Sequence, residues 1–203
     1  MDVVQIQDIS AEALMARLKD GATMVYPTET CYGLGCDATN ASVVQKIFSI
    51  KHRQKDKPLL TLMADKEMAM RFVVWSERLN TLADRYWPGP LTVVASVLPD
   101  VGLPEGVVAD DGTIAFRITD HPFAEDVCRA LGSPLVSTSA NISDMGSPYD
   151  IAEVRRMFEG QTDQPDIIID AGPLPHRAPS TIVRVVGDQV EVLRQGEVII
   201  DME

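Results

Sequence analysis

The chain has 203 residues, 45% hydrophobic and 24% charged, with a formal net charge of −12; a chain of this size and balance is expected to form one domain, at most with a small appendage, to need no disulfide or metal to fold, and to be ordered over most of its length. Three cysteines argue against a secreted disulfide scaffold. The opening MDVVQIQDIS has no signal-peptide pattern and no apolar run nears the roughly 20 residues of a bilayer span, so a soluble, cytoplasmic protein is expected.

Ser10 can cap a first helix, with Ile9 and Leu14 at hydrophobic-staple spacing and Gly21 placed to end it. Residues 23–26 read as a buried strand that stops at Pro27. Asn40 can cap a second helix with Val43, Val44, Ile47 and Phe48 on its apolar face, running to about Ile50. Strands are predicted at 58–63, 91–98, 112–118, 135–137 and 167–170, and helices at 65–72, 77–86, 122–131 and 151–158. Trp87, in W-P-G-P-L-T, reads as the anchor of a helix-to-strand corner. The last elements read as a hairpin, 181–186 and 189–193, turned by Gly187-Asp188. Helices and strands mix without a strict βαβ rhythm. The expected fold class is therefore α/β of the mixed α+β kind, a single domain over 1–203 with a twisted, partly antiparallel mixed sheet flanked by helices.

The charge is unevenly placed. Residues 1–99 hold 11 Lys and Arg against 11 Asp and Glu, whereas residues 100–203 hold 7 against 19. Lys46, Lys51, Arg53, Lys55 and Lys57 cluster with a single acid, Asp56. An acidic chain repels polyanions, so one local basic cluster suits a small anionic ligand better than a nucleic-acid track; a solvated helix end explains it equally.

The densest segment is Y-P-T-E-T-C-Y-G-L-G, Tyr26 to Gly35. Small hydroxyls and glycines at a strand end let a ligand approach the backbone, or they serve a tight strand–loop–helix connection that needs glycine dihedrals. Gly33 to Ala38 also matches the relaxed dinucleotide pattern G-x-G-x-x-A. Its glycines begin seven residues after Tyr26, and the helix cap comes only at Asn40. That spacing is wrong for a helix N-terminus holding pyrophosphate, and a dinucleotide-binding oxidoreductase is set aside.

Lys51 and Arg53 are two apart, so on an extended segment they point to one side and could hold phosphates; cations there also complement a helix dipole. S-T-S-A-N-I-S, Ser137 to Ser143, gathers hydroxyl and amide groups at a strand end, suited to phosphate, ribose or base, or to a turn. In the strand before it, Thr113, Ala115 and Arg117 share one face opposite Ile114, Phe116 and Ile118, which leaves the small-residue face open for a ligand. Arg117 and Arg194 each follow or end an apolar strand in the acidic half, and a buried arginine needs an anionic partner. The cysteines and histidines lack zinc spacing, and neither G-x-S-x-G nor G-x-x-x-x-G-K-[ST] occurs.

Together and in order, these segments resemble the YrdC-like family of threonylcarbamoyl-AMP synthases. The likeness runs from P-T-E-T-x-Y-G-L-G (27–35), K-x-R (51–53) and P-L (58–59) through W-P-G-P-L-T (87–92) and T-x-A-x-R (113–117). It continues through S-T-S-A-N (137–141), S-P (147–148), S-T-I-V (180–183) and L-R-x-G (193–196), nearly the whole chain. The resemblance implies a single α/β domain with its site on the concave face of a twisted sheet, without the extra C-terminal domain of some members. It implies that L-threonine, bicarbonate (or carbon dioxide) and ATP give threonylcarbamoyl-adenylate and pyrophosphate. A partner transferase complex then moves the threonylcarbamoyl group to the adenosine beside the anticodon of certain tRNAs. A threonine carbamate can itself attack the α-phosphate, so such a protein supplies charge and alignment rather than a nucleophile.

By matching positions, Lys51 and Arg53 are the catalytic cations for the triphosphate, with Mg²⁺ bridging its oxygens. Arg53, Thr113, Ser137, Ser139, Asn141, Ser147 and Arg194 would line the nucleotide. Thr30 and Ser180 would touch threonine, and Arg117 would clamp its carboxylate. Four positions depart from the family pattern: Lys57 stands for an asparagine, Leu62 for a threonine-binding histidine, Asp144 for a glycine and Gln195 for a proline. The competing reading is a YrdC-like RNA-binding or ribosome-associated module lacking synthase activity. The intact K-x-R and S-x-N elements and the charge of −12 stand against it, and direct tRNA contact is expected to be weak.

Overall fold

A four-residue strand, β1 (Asp2–Gln5), leads through a 3₁₀ turn into α1 (Ala11–Lys19). Ser10 caps this helix as expected, its hydroxyl accepting from Ala13 N at 3.2 Å. The computed structural model describes residues 1–54 and 56–201, so Lys55 of the basic cluster lies outside the described residues. β2 (Met24–Pro27) and β3 (Tyr32–Gly35) pair as an antiparallel hairpin, and α2 (Ala41–Lys51) follows with Asn40 as its cap. Then come β4 (Thr61–Met63), α3 (Lys66–Met70), α4 (Glu77–Tyr86), β5 (Leu91–Ser96) and β6 (Thr113–Ile118). α5 (Pro122–Leu131), β7 (Leu135–Val136), β8 (Thr138–Ser139), α6 (Ile151–Phe158) and β9 (Ile167–Asp170) precede the hairpin of β10 (Thr181–Val186) and β11 (Gln189–Arg194).

The mixed class is as expected, but the strands divide between two mixed sheets. Among the described residues these run β1-β9-β2-β3-β8 and β11-β10-β5-β6-β4-β7. A twisted sheet of more than about ten strands tends to split, and these strands are short. In the first sheet β1 and β2 both lie parallel to β9, while β3 is antiparallel to β2 and β8. In the second, β10 and β5 are parallel, and β6 runs antiparallel to β5 and parallel to β4.

Ser137 alone separates β7, in the second sheet, from β8, in the first. Val136 N donates to Cys36 O at 2.9 Å and the Tyr26 hydroxyl donates to Val136 O at 3.3 Å, which ties the sheets together there. Gly35 permits the approach, since a Cβ at that position would lie 2.1 Å from Val136 O. Gly33 and Gly35 sit inside β3 without a left-handed φ. The glycines therefore serve close packing, which corrects the idea of a connection needing glycine dihedrals. Trp87 does hold its corner, with Nε1 donating to Leu91 O at 2.6 Å and its ring centroid 5.2 Å from that of Phe116. Leu14 and Leu18 of α1, Val127 and Leu131 of α5 and Ile167–Ile169 of β9 all belong to one buried core. Among the described residues no helix is long and apolar enough to cross a membrane.

Candidate functional site

The turn between β2 and β3 places the first part of the site. Thr28 Oγ1 donates to Cys31 O at 2.7 Å and accepts from Thr30 N at 3.2 Å and Cys31 N at 3.3 Å. So closed, the turn buries Glu29 and sets Thr30 in a cavity wall. Glu29 Oε1 lies 2.7 Å from Arg117 Nε of β6, with the two side chains only 4% and 6% exposed. The N–H does not point at that oxygen, so the contact is ionic rather than a hydrogen bond. Glu29 Oε2 accepts instead from the Thr119 hydroxyl at 2.8 Å. Arg117 is thereby neutralised from behind, and among the described residues no hydrogen bond occupies its guanidinium.

The cavity holds about 340 Å³ and lies where the sheets meet at Ser137. Of the residues expected from sequence, Thr30, Arg53, Arg117, Ser137, Ser139, Ser147, Ser180 and Arg194 line it. Ser137 is fixed by its N–H, which donates to Leu60 O at 2.8 Å. Ser180 shares a hydrogen bond with Thr92 Oγ1 at 2.9 Å, and its carbonyl accepts from Arg194 Nη2 at 2.7 Å. Arg53 donates to Lys57 O at 2.9 Å and Pro58 O at 3.2 Å.

Lys51 and Asn141 line an adjoining cavity of about 290 Å³ that shares Arg53 and Ser139 with the first. The expected extended segment is not what brings Lys51 and Arg53 together. Lys51 ends α2, and His52 turns the chain at a left-handed φ of 49°. The Lys51 ammonium spends three hydrogen bonds on Ser139 O at 2.6 Å, Asn141 O at 2.7 Å and Asn141 Oδ1 at 2.8 Å. It therefore shapes the S-T-S-A-N loop, and Asn141 Nδ2 extends the network to Met145 O and Gly146 O. Burial and then Arg53 push Lys51 down to about 7, whereas the three oxygens work to hold the ammonium form.

Thr113 stands outside the lining; its hydroxyl donates to Asp111 Oδ1 at 2.6 Å, so only Ala115 and Arg117 of the expected open face reach the cavity. Leu62 is fully buried in β4, and Asp144 adopts φ 67°, the backbone that glycine takes freely. Sequence reasoning passed over Glu29 as the partner of Arg117. It also missed two lining residues, Tyr149 and Arg177. The one available signal was that each stands two or three positions from a motif residue, Ser147 or Ser180.

Among the described residues, four arginines, Arg53, Arg117, Arg177 and Arg194, line the cavity and no carboxylate does. In a chain of net charge −12 this concentrates positive potential at one place. Burial lowers Arg53 and Arg194, the latter also through Arg117, yet an arginine remains charged at neutral pH. Cys31 lines the cavity as well, but burial raises its thiol and keeps it protonated at neutral pH. Among the described residues no three His, Cys, Asp or Glu side chains are grouped to hold a metal. Such an arrangement can bind and align anionic groups, with hydroxyls completing their hydrogen bonds.

The family model Sua5_yciO_yrdC, described as telomere recombination, matches residues 16–196. The threonylcarbamoyl-AMP synthase of Bacillus subtilis is 34% identical over 196 residues, covering 96% of this chain and 56% of that protein. The threonylcarbamoyl-AMP synthase of Marinobacter nauticus is 37% identical over 173 residues, covering 83% of this chain and 87% of that protein. The crystal structure of P. abyssi Sua5 complexed with L-threonine superposes with a TM-score of 0.85 at 29% identity, over 97% of this chain and 58% of that one. The chain thus spans little more than half the length of the B. subtilis and P. abyssi proteins.

Proposed function

This chain belongs to the Sua5–YciO–YrdC family, and from that premise we propose that it is a threonylcarbamoyl-AMP synthase, a nucleotidyltransferase that uses L-threonine, bicarbonate or carbon dioxide, and ATP. The observation that carries the reading is the cavity lined, among the described residues, by four arginines and several hydroxyls without one carboxylate. ATP and a threonine carbamate are both anions, and bringing them into contact is the main electrostatic obstacle to the reaction. The names of the relatives and the threonine held by the P. abyssi protein support the same reading.

In this scheme Arg117, Thr30 and Ser180 hold threonine, while Arg53, Ser137, Ser139, Ser147 and Arg194 hold the nucleotide. Lys51 and Asn141 shape the loop under the phosphates. Thr113 reaches a nucleotide only by giving up Asp111. A carbamate oxygen attacks the α-phosphorus and pyrophosphate leaves, so the protein need supply no nucleophile. Among the described residues the lining offers Mg²⁺ hydroxyls but no carboxylate. The residues therefore do not make a metal site of their own, and Mg²⁺ would arrive on the oxygens of ATP. A transferase complex acting on tRNA would consume the adenylate. An inactive RNA-binding module gains no support, because these cations converge in a cavity rather than spreading over a face.

The test is direct. Purified protein is incubated with ATP, Mg²⁺, bicarbonate and L-threonine, and pyrophosphate and the adenylate are measured. Both should form, and omitting threonine should abolish both. No pyrophosphate from the complete mixture refutes the proposal.

A further inference from the structure

Three of the four cavity arginines are committed to protein partners: Arg53 to Lys57 O and Pro58 O, Arg117 to Glu29, and Arg194 to Ser180. Arg177 is different. Among the described residues its guanidinium has no hydrogen bond and no ion pair, although it lines the same cavity. Its backbone is nevertheless held. The segment 171–180 follows β9 and contains Pro173, Pro175 and Pro179. The Tyr32 hydroxyl donates to Gly172 O at 2.7 Å and Leu174 N donates to Tyr149 O at 2.7 Å. The Tyr149 hydroxyl donates to Arg177 O at 3.1 Å, and its ring stacks on His176 with centroids 3.9 Å apart. An anchored backbone that carries an uncommitted guanidinium lowers the ordering cost of a ligand contact.

Arg177 lines the cavity together with Arg117 and Ser180, and a neighbouring carboxyl feels both arginines. Burial and then Glu29 raise the Asp120 carboxyl, while Arg177 and Arg117 counter them, so these two arginines act on the same carboxylate. Arg53 instead acts on Lys51, beside the adjoining cavity.

The Arg117 part of the site faces a specific charge problem. Threonine brings its α-carboxylate. Its amine nitrogen then bonds to the bicarbonate carbon and water leaves, giving a carbamate, so the molecule carries two carboxylates at neutral pH. The charge of Arg117 is already balanced by buried Glu29, and one guanidinium fork grips one carboxylate. We propose that Arg177 is the second cation, binding the carbamate carboxylate of N-carboxythreonine; this rests on the synthase reading above. No bond to the protein forms, and the carbamate stays aligned while one of its oxygens bonds to the α-phosphorus and the bond to pyrophosphate breaks.

Steady-state pyrophosphate release tests this, with ATP, threonine and bicarbonate varied in turn for the wild type, Arg177→Ala and Arg177→Lys. Arg177→Ala should raise the KM for bicarbonate about tenfold, the loss of one partly exposed charged hydrogen bond, and change that for ATP less than about twofold. Arg177→Lys should recover part of the loss, and Arg155→Ala on the exposed face of α6 should change neither constant. Melting curves check folding, and Arg177→Gln replaces the alanine variant if that one melts early. With an active wild type, an unchanged bicarbonate KM, a fall in kcat alone or a rise confined to ATP overturns the assignment. An inactive wild type overturns the synthase reading instead.

Discussion

Replacing Arg117 by lysine asks one side chain to keep its buried partner while losing its grip on a ligand. Glu29 and Arg117 are nearly sealed from solvent at 2.7 Å, and Glu29 accepts its hydrogen bond from Thr119. Truncation to alanine strands the carboxylate, which costs about 3–5 kcal/mol. At about 2–4 °C per kcal/mol for a chain of this size, Arg117→Ala should melt about 10 °C below the wild type. Lysine preserves the opposite charge and should melt within about 4 °C, because only the geometry of the pair is degraded. The ligand side behaves differently. A guanidinium fork is reduced to a point charge, and the loss of one charged hydrogen bond, about 1.5–3 kcal/mol, raises the threonine KM roughly 10- to 100-fold. The ATP constant should move less than about twofold. One melting curve and two substrate titrations on each variant decide the matter. A lysine variant with a native threonine KM and a melting point about 10 °C lower would refute the ligand role and leave Arg117 a structural residue.

Arg53→Ala should raise the KM for ATP about tenfold with little change in melting, since its two protein bonds end on local backbone carbonyls; an unchanged ATP constant sinks the phosphate assignment. Lys51→Ala should instead lower the melting point by several degrees and reduce turnover, because Asn141 O loses its donor while Asn141 Oδ1 keeps only the Ser139 hydroxyl and Ser139 O only Asn141 N; native melting would show that the ammonium does not organise the loop. Gly35→Ala places a methyl against Val136 O and should give little folded protein, judged by soluble yield and near-ultraviolet circular dichroism. Burial raises the Asp166 carboxyl, but hydrogen bonds from Lys46 and Thr23 outweigh it and hold the group below the ordinary carboxylate value. Its folded pKa being the lower one, it stabilises the protein above about pH 4 and loses that contribution as pH falls through the folded value. Asp166→Asn should therefore cost about 1 kcal/mol at pH 7, with the gap closing as pH falls below the ordinary carboxylate range; a gap independent of pH contradicts the linkage.

What could be read from the sequence was what neighbours along the chain determine. The limits of α4, α5 and α6 follow from Ser76, Pro122 and Asp150, residues that cap or start a helix within one turn. β1, β3 and β8 were missed because their partners define them. β3 is half glycine, β8 is two residues long, and β1 exists only beside β9. The strand expected at 58–63 starts at Thr61, because the Arg53 side chain ties Lys57 and Pro58 into the preceding turn. In the site, motif order identified most of the lining. It could not show that the Lys51 protons are spent internally, that Glu29 stands behind Arg117, or that Thr113 turns to Asp111. Each of these depends on which groups the folded chain leaves without another partner.

The place of β9 between β1 and β2 has a consequence for synthesis. Gln5 and Asp170 are hydrogen-bonded across 165 positions, so at ribosomal rates of about 5–20 residues per second the first strand waits roughly 10–30 s for its neighbour. In that interval the edge of β2 that β9 later occupies is open, next to the apolar Met24, Val25 and Tyr26. The second sheet is completed later still, because β5 gains β10 only after β9 has been made. A nascent chain with two uncovered sheet edges is a target for strand pairing with other nascent chains and for chaperones that bind extended apolar segments. Both edges therefore stay uncovered until β9 and β10 have been made, late in the synthesis of this domain.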